Sequence, residues 1–267
     1  MSLNNRCDHL KEIILLKIGG ALITDKNKRQ PTVNQENLQR IVNEIKEGFN
    51  PDINQLILIH GAGSYGHPIV KESGIDKGIK TKEQVLAFAK TQKLQNELNT
   101  IVCEKLEEAG LPAIPFQPSA TAIMKNGKLI SLNVNLIKNL LNLSLIPVLY
   151  GVPAYDEVQG CSILSGDQII TYLAKDLKPV RLILATNVPG VLNDKNEVIK
   201  QINKNNFETY KHLLKNESKL DVTGGMLGKV EELLQIKNIT SEIIGGEPGI
   251  IKKALKGEKG LGTLIIP

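Results

Sequence analysis

Residues Gln55-Leu56-Ile57-Leu58-Ile59-His60-Gly61-Ala62-Gly63-Ser64-Tyr65-Gly66-His67 change character halfway. The first six form an aliphatic run that suits a strand covered on both faces, as in a parallel sheet. The glycines that follow expose bare backbone N–H groups ahead of a helix start, an arrangement that can cradle an anion. The spacing matches neither the Walker loop nor the dinucleotide fingerprint.

The same order of strand, turn and helix recurs on both sides of this stretch. Strands are predicted over 13–18, 113–116, 145–150, 181–186, 241–244 and 262–266. Helical apolar spacing covers 34–48, 82–109, 133–142, 166–178, 224–237 and 248–255. Asn126-Gly127 marks a hairpin turn. The polar, Asn- and Lys-rich segment 194–220 is expected to hold a mobile loop or a short helix. This alternation predicts an α/β fold, an open three-layer αβα sandwich with a mostly parallel central sheet. The 267 residues suit a single domain. A lobe boundary is expected near Pro179, because a helix ends before a proline. It divides an N-terminal lobe, 1–178, from a C-terminal lobe, 179–267.

Aromatic residues are scarce, so Ile, Leu and Val fill the core. The net charge of +5 comes from dispersed lysines without a basic stripe, which argues against nucleic acid as a partner. Cys7, Cys103 and Cys161 lack metal-ligand spacing, and no apolar run is long enough to span a bilayer. A soluble cytoplasmic protein without a membrane partner is expected.

In such sheets ligands bind beyond the carboxyl ends of the strands, and five stretches place chemistry there. Lys17 interrupts an aliphatic strand just before Gly19 and Gly20, with Lys26 further on. It is either a phosphate-gripping amine or a lysine snorkelling from a strand edge. His67 ends the cradle of Gly61, Ala62 and Gly66 and can donate to a bound phosphate; as a lone residue it would read as a surface histidine. His60, at the strand end, suits a structural hydrogen bond. Ser165-Gly166-Asp167 opens a helix, so Asp167 either caps it or orients lysines. Thr186-Asn187-Val188-Pro189-Gly190 is a strand running into a turn that can line a nucleotide. Asp221-Val222-Thr223-Gly224-Gly225-Met226-Leu227-Gly228-Lys229 opens a helix with glycines that propensity alone disfavours, and projects Lys229 from its first turns.

Taken in this order, the motifs resemble the amino-acid-kinase superfamily over nearly the whole chain. Within it, His60 to His67, Ala109-Gly110-Leu111-Pro112-Ala113 and Gln117-Pro118-Ser119 are most similar to isopentenyl phosphate kinases. The resemblance implies ATP and Mg2+ as cofactors, a small-molecule phosphate acceptor and a homodimer. It implies catalytic roles for Lys17, Lys26, His67, Asp167 and Lys229. It assigns acceptor contacts to Gly61, Ala62, Gly66, His67, Gly151 and Gly166. Nucleotide contacts fall to Lys17, Gly19, Gly20, Thr186, Asn187, Gly190, Gly225 and Lys229. The two lobes become an acceptor lobe and a nucleotide lobe. Three departures stand out: Val152 follows Gly151 where the family has Asp, Asn187 and Pro189 replace two aspartates of the strand turn, and Ala62 interrupts the glycine cradle.

The implied chemistry needs no general base, because a phosphate monoester is already an ionised nucleophile. Positioning and charge neutralisation carry the reaction. Few carboxylates occur in the motifs, so Mg2+ is expected on the ATP phosphates and water. Other acceptors, a fosfomycin-like phosphonate or an amino-acid carboxylate, fit much of the pattern. A non-catalytic nucleotide-binding relative would not need Lys17, Asp167 and Lys229 together. The long helix over 82–109 is expected to wall the acceptor pocket through Phe88, Gln92 and Leu98.

Overall fold

β1 (Glu12–Ile18) lies in the middle of the main sheet and presents a different core on each face. Ile14, Leu16 and Ile18 enter one core, shared with α2 (Gln35–Gly48), α4 (Lys82–Glu108) and α9 (Ile250–Leu255). Leu15 enters the other, shared with α5 (Val134–Asn142), α6 (Gly166–Leu177) and α8 (Gly225–Leu234). The two-residue period of a strand puts Lys17 on the same side as Leu15, facing α6. The computed structural model describes residues 11–25, 28, 30–217 and 225–267.

The main sheet also contains β2 (Asn54–His60), β3 (Ala113–Pro115), β6 (Ile146–Tyr150) and β9 (Arg181–Thr186). It is completed by β10 (Gln201–Asn203), β11 (Ser241–Gly245) and β12 (Thr263–Ile266). The order is β10-β12-β11-β9-β1-β2-β6-β3, and every neighbouring pair is parallel except β11 with β12. Helices cover both faces, as the alternating sequence pattern predicts. Strands from before and after Pro179 share this sheet, with β9 directly beside β1.

Local chemistry sets the helix limits. Asn34, Asn133 and Ser165 each accept a backbone N–H at the start of α2, α5 and α6. Thr81 and Gln84 form a reciprocal capping box on α4. Gly110, just past the end of α4, has φ +84, which glycine adopts without strain. Two short helices, α1 (Gly20–Ile23) and α3 (His67–Ser73), follow β1 and the glycine stretch.

Two features exceed what the sequence pattern predicted. A second sheet, ordered β5-β4-β7-β8, packs beside the first. Its strands are β4 (Ala122–Lys125), β5 (Lys128–Leu132), β7 (Val152–Asp156) and β8 (Gly160–Leu164). The Asn126-Gly127 turn joins β4 to β5, and both residues have positive φ, as expected. The hairpin of β7 and β8 has no clear signal in the sequence, because Pro153 and a short, mixed pattern hide it. Buried Asp156 closes this sheet by accepting backbone N–H groups of Gly127 at 2.8 Å and Val158 at 2.9 Å. The second feature is edge strand β10, supplied by the 194–220 segment; the same segment also holds α7 (Phe207–Glu217), the short helix expected there. Among the described residues no helix is long and apolar enough to cross a membrane.

Candidate active site

The C-terminal ends of β9, β1, β2 and β6 are stitched together by their loops. Gly19 N–H donates to Ala185 O at 2.8 Å, Gly61 N–H to Ile18 O at 2.9 Å, and Gly151 N–H to His60 O at 3.0 Å. A cleft of about 370 Å³ opens above this seam. Gly19, Gly20, Gly61, Ala62, Gly66, His67, Gly151, Gly166, Thr186, Asn187 and Gly225 all line it, with Lys17, Asp167 and Lys229.

The glycine turns pack backbone against backbone. A Cβ on Gly20 would stand 2.3 Å from Gly63 N, and one on Gly61 would stand 2.6 Å from Gly20 N. Neither position has room for a side chain, so the two loops approach more closely than any other residue allows. Thr24 locks the contact: its hydroxyl donates to Gly20 O at 2.8 Å and accepts Ser64 N–H at 3.0 Å.

The charged centre joins three elements. Lys17 Nζ lies 3.0 Å from Asp167 Oδ1, and Lys229 Nζ lies 2.8 Å from Asp167 Oδ2. Lys17 stands in an interior strand, not at a sheet edge as the snorkelling alternative supposed. Ser165 caps α6 by accepting Gln168 N–H at 3.1 Å, which leaves the Asp167 carboxylate to the lysines. Gly166 makes space for this arrangement, since a Cβ there would meet Lys17 Cε at 2.9 Å.

Burial governs the charges. Desolvation pulls the Lys17 ammonium down to about 8, against the attraction of Asp167, and the like charge of Lys229 adds to the fall. Burial alone would raise the Asp167 carboxyl, but the two ammonium groups overcome it and hold it well below the carboxylate range. With both amines protonated, the cluster carries a net positive charge on largely buried side chains. It is built to receive an anion.

The histidines divide their work. His60 is fully buried, stacks on Tyr150 with ring centroids 5.5 Å apart, and hydrogen-bonds Asn99 Oδ1 at 3.1 Å. Desolvation lowers it to about 4, so it stays neutral. His67 is half-buried and lines the cleft at the end of the glycine stretch. Beyond His67 the wall turns apolar, through Val70, Val152, Pro153 and Ile163. Val152, one of the departures from the family pattern, thus belongs to this apolar end.

Other residues fall elsewhere. Gly190 is not part of the cleft lining; its backbone abuts Thr263 and Val198. Lys26 and 221–224 lie outside the described residues. On α4, Thr91 and Gln95 face the cleft. Gln92 instead bonds Pro153 O at 2.6 Å and Ser119 at 3.1 Å, Leu98 is buried in the core, and Phe88 packs in a small cluster with Val70 and Ile163. The expected wall was therefore displaced by part of a helical turn. Helical spacing identifies a face but not which neighbour it meets.

The cleft residues do not fit a protein-held Mg2+. Asp167 is its one carboxylate among the described lining residues, and both oxygens face lysines. Among the described residues no cluster of three His, Cys, Asp or Glu could hold a metal.

Comparison with known proteins agrees with this geometry. The sequence model of the Amino acid kinase family matches residues 12–244. Isopentenyl phosphate kinase of Methanothermobacter thermautotrophicus is 37% identical, with 95% of this chain and 98% of the relative covered. The enzyme of that name from Methanocaldococcus jannaschii is 35% identical over 92% of this chain and 96% of its own. A crystallographic isopentenyl phosphate kinase superposes with a TM-score of 0.81 at 35% identity, covering 95% of this chain and all of that one. The chain belongs to the amino acid kinase family and, within it, groups with the isopentenyl phosphate kinases.

Proposed function

We propose that this protein is an ATP-dependent kinase that phosphorylates isopentenyl phosphate to isopentenyl diphosphate. The observation that carries the reading is the Lys17–Asp167–Lys229 cluster beside a glycine cradle that ends in His67 and gives way to an apolar wall. A phosphate with a short hydrocarbon tail matches that sequence of surfaces. The similarity to two isopentenyl phosphate kinases above 30% identity supports the same acceptor.

In this reading residues 1–178 supply the acceptor side and residues 179–267 the nucleotide side. The acceptor phosphate rests on backbone of Gly61, Ala62 and Gly66 and on His67, with Gly151 and Gly166 beneath. ATP lies along Thr186, Asn187 and Gly225. One oxygen of the acceptor phosphate forms a bond to the γ-phosphorus while the bond from that phosphorus to the β–γ bridging oxygen breaks, and ADP leaves. Lys17 and Lys229 neutralise the converging anions, and Asp167 holds both amines in place without taking a proton. Lys26 is assigned to the same phosphates by resemblance. Magnesium arrives with the nucleotide rather than in a site of the protein. A soluble cytoplasmic homodimer completes the proposal.

The test is a kinase assay with ATP and Mg2+ against isopentenyl phosphate, dimethylallyl phosphate, fosfomycin and glutamate. Isopentenyl phosphate should give the highest kcat/KM. Preference for fosfomycin or glutamate would overturn the acceptor while leaving a kinase. No transfer to any of them would overturn the reading itself.

A further inference from the structure

Along α4, residues one turn apart step from the glycine stretch towards the apolar wall. Asn99 bonds His60 at 3.1 Å. Gln95 comes next, then Thr91, then Phe88 beside Val70 and Ile163. Thr91 satisfies its own hydroxyl by donating to Ala87 O at 2.7 Å. Gln95 differs. It is fully buried, it lines the cleft, and neither its Nε2 nor its Oε1 has a hydrogen-bond partner.

The amide is also closely placed. A Cβ on Gly66 would stand 2.4 Å from Gln95 Nε2 and 2.9 Å from the Ala62 side chain. Gly66 is thus the residue that lets the Gln95 amide reach the rim of the cradle. A buried carboxamide with no partner is costly, and such groups persist where a ligand completes them. Amide N–H groups pair well with a charged phosphate oxygen. A hydrocarbon tail offers nothing to bond.

We propose that the Gln95 carboxamide is an acceptor-binding group that donates an N–H to the phosphate held on Gly61–Gly66. It marks where the phosphate ends and the apolar pocket begins. This rests on the acceptor-phosphate reading above. On the same face Asn99 is bonded to His60 and Thr91 to its own helix, whereas the Gln95 amide is left for a ligand.

The experiment uses Gln95→Leu, with Gln95→Met as a second variant that keeps the unbranched stem, and Gln95→Glu. KM for isopentenyl phosphate, KM for ATP and Tm are measured on each. Inorganic phosphate is also titrated calorimetrically against each protein without nucleotide. For the apolar variants the acceptor KM should rise about tenfold, while KM for ATP stays within about twofold. Tm should hold or rise, because an unpaired buried amide has been removed. Gln95→Glu should lose more acceptor affinity, by repulsion. An unchanged acceptor KM overturns the proposal. So does a joint loss of Tm and of affinity for both substrates, which marks a structural role. If the wild type fails to use isopentenyl phosphate, the proposed function falls, and the phosphate titration decides Gln95 by itself. Equal phosphate affinity in wild type and apolar variants, or no phosphate binding by the wild type, then overturns the inference.

Discussion

Lys17 Nζ sits 3.0 Å from Asp167 Oδ1, joining the end of a central strand to the first turn of α6, a helix 150 residues further along the chain that packs on that strand. The same carboxylate holds Lys229 at 2.8 Å through its other oxygen. One anion between two cations fixes both amines and still leaves positive charge for a ligand.

Asp167→Asn should therefore lower kcat about 100-fold or more, by releasing both lysines at once. It should also destabilise the fold by about 3 kcal/mol, because two buried like charges lose their counter-ion. Steady-state kinetics and urea unfolding check both. Activity within a factor of about two of wild type would show that the lysines need no such brace.

The Lys17 shift yields two opposite pH trends. Its native value of about 8 lies below the ordinary 10.5. Below about 8 the folded state bears the full cost of a buried ammonium. Between about 8 and 10.5 the unfolded chain still binds the proton that the native state has released, so stability rises with pH there. Phosphate binding follows the charge the other way, and kcat/KM for ATP should fall above about pH 8. Lys17→Met should remove the stability rise, as read by Tm against pH. An equal rise in the variant would place the titration elsewhere.

His67→Ala should raise KM for isopentenyl phosphate about tenfold, the loss of one charge-assisted hydrogen bond. Replacing His60 should act differently. It is buried, neutral and held by Asn99 and Tyr150, so His60→Ala should lower Tm and impair both substrates together. A selective acceptor defect in His60→Ala with none in His67→Ala would reverse the two roles.

Gly20→Ala introduces a Cβ 2.3 Å from Gly63 N, backbone that has no room to yield. Tm should drop, and KM should rise for ATP and acceptor alike, since the two glycine turns share that contact. Gly127→Ala, in the exposed hairpin, meets no atom within 4 Å but keeps a positive φ of 75°. It should cost only about 1 kcal/mol and leave both KM values unchanged. Thermal melts and kinetics on the two variants separate crowding from backbone strain.

Much of this was legible in the sequence because it is written in local periodicity. The parallel strands and covering helices follow from aliphatic runs alternating with 3.6-residue spacing, and the caps Asn34, Thr81, Asn133 and Ser165 are local chemistry. Glycines after strand ends pointed to the cleft that they line. The β7–β8 hairpin was not legible, because Pro153 and five-residue strands carry no period long enough to read. The exact face of α4 was not legible either: spacing points to Phe88, Gln92 and Leu98, whereas Thr91 and Gln95 line the cleft.

The sequence by itself determined the α/β alternation, the glycine-rich strand ends, and the lysine, aspartate and histidine residues singled out as candidates. Only the tertiary structure decided which of them meet. Lys17 faces Asp167 because a strand's two-residue period and the packing of α6 put them on one side of the sheet. Gln95 reaches the cradle because Gly66 has no side chain. Such contacts join positions remote in the chain, and spacing along the chain encodes no distance across it.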